Sequence, residues 1–294
     1  MNPLDVVRLT EVMKLGEGSP EIVVGLIDGP AVLDHPDLAN ATVRKIPGKV
    51  NSLCTRPESI ACTHGTFVAG ILSARRGSAA PAICPGCTLL LRPIFAEPAA
   101  GKGDIPSATP EELAEAVVDS VNAGARVINL SSALVRPSRT GENKLEEAFN
   151  YAAQRGAIIV AAAGNQGTVG SSVITRHPWV IPVAACDSQG SPLGISNLGS
   201  SIGRRGLFAP GQNVASLGTD GKAQTFGGTS AAAPFVTGAI ALVWSKFPAA
   251  TATQIKLAVT QSGLARRQSV APPVLDAWTA YQTMSSVLTR RSLR

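Results

Sequence analysis

Short apolar strand segments that alternate with helical segments are the feature that most constrains how this chain can fold. Residues 21–27 (EIVVGLI) form a continuous apolar run, and further strands are predicted at 87–94, 125–131, 157–163 and 179–185. A run of this kind is typical of a strand buried on both faces of a parallel sheet. Helical patterns separate most of the runs, so the sequence predicts an α/β fold with a mostly parallel β-sheet flanked by helices.

Composition sets the scale of the molecule and excludes several classes of protein. The chain has 294 residues, 45% of them apolar, and no Pro/Ser-rich linker divides it, which predicts one domain, residues 1–289, and a basic tail, residues 290–294. The net charge of +6 is spread along the chain, and no basic stretch has aromatic residues between its charges, so we expect no nucleic-acid partner. Neither a transmembrane run nor a signal peptide is recognisable, and we therefore expect a cytoplasmic protein without a membrane partner.

One serine stands in an unusual setting, in the stretch 227–234 with the sequence GGTSAAAP. Residues 231–245 are mostly apolar and predict a buried helix, which tolerates a proline in its first turn. Ser230 would then lie at the positive end of a helix dipole, where free backbone N–H groups can stabilise an oxyanion. A short Gly/Ser motif is more often a simple helix cap, so other residues have to decide between the two interpretations.

Three further polar residues are predicted to lie at the same rim as Ser230. Asp28 and Asn165 directly follow predicted strands, and His64 begins a predicted helix. Sites in parallel sheets form at the carboxyl ends of the strands. Each residue alone could be an ordinary cap or turn residue. Together they include a hydroxyl nucleophile, a base and a carboxylate that orients the base, which are the components of a nucleophilic hydrolase.

The base has to come from one of only three histidines. His35 lies in a turn between an aspartate and a proline, and we expect it at the surface. His177 precedes a proline in a loop. His64 alone opens an apolar helix, with a glycine next to it, and it is therefore the predicted base.

The extended motifs around these residues resemble those of the subtilisin-like serine proteases. The matching stretches are residues 24–29, 64–70, 127–131, 162–165, 208–211 and 228–234. They span most of the chain, from about residue 21 to residue 262, and as a set they are highly specific. The resemblance implies a subtilisin-like fold and a serine endopeptidase that hydrolyses peptide bonds through an acyl-enzyme.

The resemblance also implies a role for each residue of the site. Asp28, His64 and Ser230 would form the catalytic triad, with Ser230 as nucleophile, His64 as general base and Asp28 as the carboxylate that orients it. The side chain of Asn165 and the backbone N–H of Ser230 would bind the oxyanion, as the corresponding groups do in subtilisin itself.

By the same resemblance, two segments would bind the peptide or precursor-peptide substrate. Residues 130–133 would pair with it as an added β-strand, and residues 162–164 would line the pocket for the side chain before the scissile bond. The implied substrate-binding residues are Leu130, Ser131, Ser132, Ala133, Ala162, Ala163 and Gly164. Residues 131–133 (SSA) and 231–233 (AAA) depart from the usual family pattern, so no substrate preference is carried over.

Two further departures concern metal binding and maturation. Residues 75–80 (RRGSAA) stand where many family members carry a calcium loop, and they contain no carboxylate, so we expect no metal site there and no cofactor. Only 27 residues precede Asp28, which leaves no room for a folding prodomain. Such a segment was either removed or is not needed.

A narrower resemblance is to the subtilisin-like proteases that mature ribosomal peptides of the cyanobactin type. It rests on residues 28–30 (DGP), residues 87–95 (CTLLLRPIF), the missing prodomain and the cysteine-bearing loops. This branch would imply a precursor peptide as substrate, cut between its leader and its core.

The sequence does not determine whether the five cysteines are bridged, bound to a metal or free. A disulfide that staples a loop, half of a zinc site at residues 84–87 (CPGC) and free thiols are all compatible with the spacing. A bridge between Cys54 and Cys62 would order the loop that leads into His64, whereas a pairing of either with Cys84 or Cys87 is an alternative.

Two other functions compete with an active peptidase. A catalytically silent relative could bind peptides in a maturation complex, although the presence of all four functional residues argues against silence. An esterase of the α/β-hydrolase type is disfavoured, because its nucleophile precedes the acid and the histidine in the chain and here the serine comes last.

Overall fold

A parallel β-sheet forms the centre of the molecule. The computed structural model describes residues 1–97, 107–131, 139–261 and 269–292. Within these ranges seven strands, all paired in parallel, follow the order β2-β3-β1-β4-β5-β6-β7. They are β1 (Val23–Asp28), β2 (Val43–Lys45), β3 (Thr88–Pro93), β4 (Val127–Leu130), β5 (Ile158–Ala162), β6 (Val180–Cys186) and β7 (Leu207–Pro210).

An antiparallel hairpin and helices of different length complete the described part of the chain. The hairpin consists of β8 (Val214–Leu217) and β9 (Ala223–Phe226). The helices are α1 (Pro3–Val6), α2 (Leu9–Met13), α3 (Ile60–Ser73), α4 (Pro110–Asn122), α5 (Arg139–Arg155), α6 (Val173–Arg176), α7 (Ser200–Arg205), α8 (Thr229–Lys246), α9 (Ala252–Thr260) and α10 (Ala277–Ser292). None of the described helices is long and apolar enough to cross a membrane.

Helices cover both faces of the sheet, which explains why most positions in its inner strands are apolar. On β1, Val24 and Leu26 join the core beneath α3 and α8, whereas Val23 and Ile27 join the core beneath α4 and α5. Successive side chains of a strand point to opposite faces, so a strand between two helical layers needs apolar residues at every position. This architecture confirms the predicted α/β class.

The N-terminal segment and two strands differ from the sequence prediction. The apolar residues between positions 6 and 15 predict a single amphipathic helix over residues 1–18. The structure has two short helices there, α1 and α2, because Arg8 between them adopts a left-handed conformation with φ of 52°. β2 was not predicted, since its residues include two charged side chains. β7 was not predicted as a strand either, because it is only four residues long.

Candidate active site

Asp28 ends β1 at the carboxyl edge of the sheet, and its side chain is completely buried. One carboxylate oxygen, Oδ1, accepts a hydrogen bond of 2.7 Å from the backbone N–H of Gly29. The same oxygen lies 2.7 Å from Nδ1 of His64. A buried carboxylate is costly unless it is paired, and these two donors pair Oδ1, whereas Oδ2 is buried without a hydrogen-bond partner among the described residues.

Two glycines allow the helix that carries His64 to approach Asp28 this closely. A Cβ atom on Gly65 would overlap the carbonyl oxygens of Gly29 and Pro30, and one on Gly29 would overlap the carbonyl oxygen of Ala61. Helix α3 begins at Ile60 and is capped by Ser59, whose hydroxyl accepts a hydrogen bond from the backbone N–H of Cys62. The glycines therefore set the distance between the end of β1 and the first turns of α3.

The pairing determines the protonation behaviour of His64. A carboxylate oxygen only accepts, so Nδ1 carries the proton, which leaves Nε2 of the neutral ring with a lone pair. Burial of the imidazole lowers its pKa, but the charge of Asp28 and the hydrogen bond to it outweigh this effect, so the pKa of His64 lies above its ordinary value. The side chain keeps 25% of its surface exposed, so a substrate can reach it.

Ser230 lies in the first turn of α8, where the hairpin leads into the helix. Gly228 caps this helix with a φ of 95°, a conformation that L-residues with side chains rarely adopt. Phe226, four residues before Ser230, packs edge-on against Phe67 of α3, and its ring centroid lies 6.3 Å from that of His64. Phe226 thereby links the segment before α8 to the imidazole, and Ser230 in the first turn of α8 is half-buried.

Asn165 follows β5, and its side-chain oxygen is held by the start of α8. The oxygen accepts hydrogen bonds from the backbone N–H of Thr229 at 2.8 Å and from the Thr229 hydroxyl at 3.0 Å. The Thr229 hydroxyl in turn accepts a bond of 3.1 Å from the backbone N–H of Gly164. Because a backbone N–H can only donate, these contacts assign the oxygen of the Asn165 amide, and the exposed NH₂ group is left to donate elsewhere.

The residues expected to bind substrate lie at the ends of two adjacent strands. Leu130 ends β4 and pairs with Ala161 of β5, directly before the segment 162–164. The hydroxyl of Ser131 accepts a hydrogen bond of 2.6 Å from the buried amide of Asn129, whose oxygen accepts one of 2.8 Å from Thr237 of α8. Ser132 and Ala133 lie outside the described residues.

The loop before α3 is fixed by a disulfide and by one carboxylate. Cys54 and Cys62 form a disulfide with their Cα atoms 5.5 Å apart, and the other three cysteines are buried free thiols. Glu97 accepts hydrogen bonds from the backbone N–H groups of Thr55 and Arg56 and from the hydroxyls of Thr55 and Ser59, at 2.6 to 3.3 Å. These donors hold the pKa of Glu97 below its ordinary value although burial opposes them.

The same cluster is the one group of potential metal ligands found among the described residues, since the sulfur atoms of Cys54 and Cys62 and a carboxylate oxygen of Glu97 lie within 4.8 Å of one another. The two sulfur atoms are bonded to each other, and a metal needs the thiolate form. The donor set therefore does not fit a metal ion while the bridge is formed.

The other two histidines, His35 and His177, are buried and have hydrogen-bond partners of their own. His35 is buried, contrary to the expectation of a surface position, because its Nδ1 accepts from the backbone N–H of Asp37 at 3.1 Å and caps a short 3₁₀ helix. His177 is buried against Phe149, and its Nε2 lies 3.2 Å from the side-chain oxygen of Asn150. Burial lowers the pKa of His177, which favours a neutral structural ring.

Comparison with known proteins identifies the family. The model of the subtilase family (Peptidase_S8) matches residues 19–275, so the chain belongs to the subtilase family. It is 32% identical over 239 residues to the thermostable alkaline protease of Halalkalibacterium halodurans, a match that covers 79% of this chain and 61% of the relative. The chain thus spans less than two thirds of the length of this curated relative.

Two solved structures show the same fold over nearly their whole length. The prenylagaramide maturation protease PagA superposes with a TM-score of 0.80 at 26% identity, covering 94% of this chain and 98% of that one. The patellamide maturation protease PatA gives a TM-score of 0.75 at 28% identity, covering 92% of this chain and 98% of that one. These similarities confirm the subtilisin-like fold and the resemblance to proteases of peptide maturation.

Several residues of the site were not found by sequence reasoning. Thr229, Asn129 and Thr237 connect α8 to the strand ends, and Glu97 fixes the loop before α3. Their partners are as far as 108 residues away along the chain, and neither spacing nor periodicity marks such pairs. Of these residues, only Thr229 could have been found from the sequence, because it directly precedes the predicted nucleophile.

The glycine contact between α3 and β1 leads to a first prediction. Gly65→Ala forces α3 away from the carbonyl groups of Gly29 and Pro30, and overpacking of this kind costs about 1–3 kcal/mol. We expect a lower melting temperature together with a loss of peptidase activity, because His64 moves away from Asp28. Gly194→Ala is the matched control, since a Cβ atom there has no heavy atom within 4 Å. Equal behaviour of the two variants would contradict the account.

The pairing of His64 with Asp28 leads to a second prediction, measured by NMR titration of the imidazole in a Ser230→Ala background. We expect a titration midpoint above the ordinary histidine value of about 6.5, and a downward shift in Asp28→Asn, which removes the carboxylate charge. The neutral ring is the form that would act as the predicted base, so peptidase activity should fall as the pH drops through this raised pKa. A midpoint that does not respond to Asp28→Asn would show that the pair does not control His64.

Proposed function

We propose that this chain is a serine endopeptidase that hydrolyses peptide bonds with Asp28, His64 and Ser230 as its catalytic triad. The observation that carries the proposal is the 2.7 Å contact between Nδ1 of His64 and the buried carboxylate of Asp28. Ser230 lies in the first turn of α8, four residues after Phe226, whose ring centroid is 6.3 Å from that of His64. Membership of the subtilase family supports the same assignment.

In the first half of the reaction, the hydroxyl of Ser230 attacks the scissile carbonyl carbon while Nε2 of His64 takes up its proton. Asp28 stabilises the imidazolium that results. The oxyanion that develops accepts hydrogen bonds from the Asn165 amide and from the backbone N–H of Ser230. His64 then returns the proton to the leaving amine, the C–N bond breaks, and an acyl-enzyme on Ser230 remains.

In the second half, water replaces the amine. His64 removes a proton from the water molecule as it attacks the ester carbon, and the same two donors hold the second oxyanion. When the C–O bond to Ser230 breaks, His64 gives the proton back to the serine oxygen. The free carboxylic acid product leaves, and the site returns to its starting state.

Binding of an extended peptide is the second part of the proposal. Leu130 and Ser131 are buried at the carboxyl end of β4, and the segment 130–133 that begins there would pair with a peptide backbone, as the family resemblance implies. Residues 162–164 at the end of the neighbouring strand are small enough to leave space for a side chain. The substrate class we propose is a ribosomal precursor peptide cut between leader and core, since PagA and PatA are maturation proteases. Such peptides are made in the cytoplasm, and a cytoplasmic location is therefore part of the proposal.

The third prediction tests the nucleophile on a peptide library whose cleavage is read by mass spectrometry. We expect the wild-type chain to cut at internal bonds, and Ser230→Ala to lose about 10³-fold or more of the rate, because no acyl-enzyme can form. The variant removes one half-buried oxygen, so its melting temperature should stay within a few degrees of the wild type. Ser245→Ala near the other end of α8 is the matched control and should keep its activity.

A wild-type chain that folds but cleaves no peptide in the library would support a catalytically silent, peptide-binding relative instead. Retained cleavage by Ser230→Ala would show that another residue is the nucleophile. Internal cleavage that prefers long peptides over short ones would favour a precursor-peptide substrate.

The fourth prediction concerns the bridged loop before α3. Cys54→Ser/Cys62→Ser opens the bridge, but Glu97 still holds residues 55–59, and closure of so short a loop stabilises by less than the roughly 3 kcal/mol estimated for 15 residues. We therefore expect a small change in melting temperature and a larger change in the ratio of cleavage rates for a long peptide and a short chromogenic one.

Cys84→Ser/Cys87→Ser is the matched control, because it replaces two free thiols that do not belong to this loop. It should leave the ratio of rates unchanged. An unchanged ratio and unchanged cleavage sites in the Cys54→Ser/Cys62→Ser variant would show that the bridged loop takes no part in substrate selection.

A further inference from the structure

The side chain of Asn197 makes five hydrogen bonds to the loop that carries Asn165. The oxygen of the Asn197 amide accepts from the backbone N–H groups of Gln166 and Thr168 at 3.0 and 3.2 Å, and from the Thr168 hydroxyl at 3.1 Å. Its NH₂ group donates to the carbonyl of Ala163 at 3.2 Å and to the side-chain oxygen of Gln166 at 2.6 Å. These contacts lie on both sides of Asn165.

The backbone around Asn197 extends the same connection. Its N–H donates to the carbonyl of Gly164 at 2.9 Å, and the N–H of Gly167 donates to the carbonyl of Ile195 at 2.8 Å. Residues 195–198 thus run beside residues 164–168 and satisfy the backbone groups of this loop.

Asn197 is itself anchored on the central sheet. The hydroxyl of its neighbour, Ser196, is buried and accepts from the backbone N–H of Ala185 in β6 at 2.9 Å. The same hydroxyl lies 3.2 Å from the Ala185 carbonyl oxygen. The position of Asn197 is therefore tied to β6 of the central sheet.

The loop needs such a support because its own backbone is adaptable. Gly164 and Gly167 have φ values of 105° and 62°, and Asn165 between them is exposed. Thr229 holds the oxygen of the Asn165 amide and the backbone N–H of Gly164, whereas Asn197 holds the backbone N–H groups of Gln166 and Thr168. An oxyanion donor is effective only when it is preorganised toward the charge that develops, and small displacements of such groups are costly in rate.

We propose that Asn197 is a positioning residue for the oxyanion hole, which fixes the loop 163–168 so that the NH₂ group of Asn165 points at the developing oxyanion. Asn197 acts through Asn165 and does not touch the substrate. The inference rests on the function proposed above, in which Asn165 is an oxyanion donor.

The test is a double-mutant cycle of N165A, N197A and the combined variant, with kcat and KM measured on one peptide that the wild type cleaves. We expect N165A to lower kcat by about 10²–10³-fold. N197A should lower kcat by about tenfold with KM within about twofold of the wild type, because the lost contact acts on the transition state. In the N165A background, N197A should lower kcat by less than about twofold, since the donor that it positions is gone.

A purely structural role of Asn197 predicts a different result, namely the same fall in kcat in both backgrounds. That result, a change in KM alone, or no change in N197A would overturn the proposal. An unchanged kcat in N165A would instead refute the oxyanion role of Asn165 itself, and the positioning role with it. N122A is the matched control, because Asn122 of α4 binds the Tyr151 hydroxyl at 2.6 Å and should leave kcat unchanged.

Melting temperatures of all variants show whether each chain folds. If N197A is unfolded, N197S takes its place in the cycle, since a serine adds no charge and is too short to reach both sides of Asn165. We expect N197S to lower kcat by about two- to fivefold, again only when Asn165 is present. An equal fall in both backgrounds would overturn the proposal here as well.

Discussion

The structure depends on one buried charge, the carboxylate of Asp28 at the end of β1. Its side chain is removed from water, so the fold has to supply hydrogen-bond donors, and it does so with the backbone N–H of Gly29 and Nδ1 of His64. Helix α3 can bring the imidazole that close only because glycines stand at positions 29 and 65. The contact between Asp28 and His64 therefore depends on how closely α3 packs against the end of β1.

Helix α8 and the segment before it contact both Asn165 and His64. Its first turn holds the amide oxygen of Asn165 through Thr229, and the segment before it brings Phe226 against His64 and Phe67. The side chains of Asp28, His64 and Asn165 are thus fixed by elements that also build the main core. Preorganisation of this kind is what a hydrolytic site needs, because groups that are already oriented require little reorganisation in the transition state.

The fold could be predicted because buried strands such as β1 carry a continuous apolar run. The candidate residues could be predicted because they directly follow such a strand or begin a helix. Local exceptions were not recognisable, such as the left-handed Arg8 that divides the N-terminal helix and the buried His35 that caps a 3₁₀ turn. Contacts such as Asn197 with Gln166 and Thr168 depend on how distant loops meet, which no local pattern records.

The central claim, that Ser230 is a nucleophile activated by the pair of His64 and Asp28, is tested most directly by labelling with a fluorophosphonate probe. The site of labelling is mapped by mass spectrometry after proteolytic digestion, at several pH values. The account predicts one label per folded chain, on the peptide that contains Ser230, with a rate that falls as His64 becomes protonated. A folded chain that takes up no label, or takes it up on a different serine, would contradict the account.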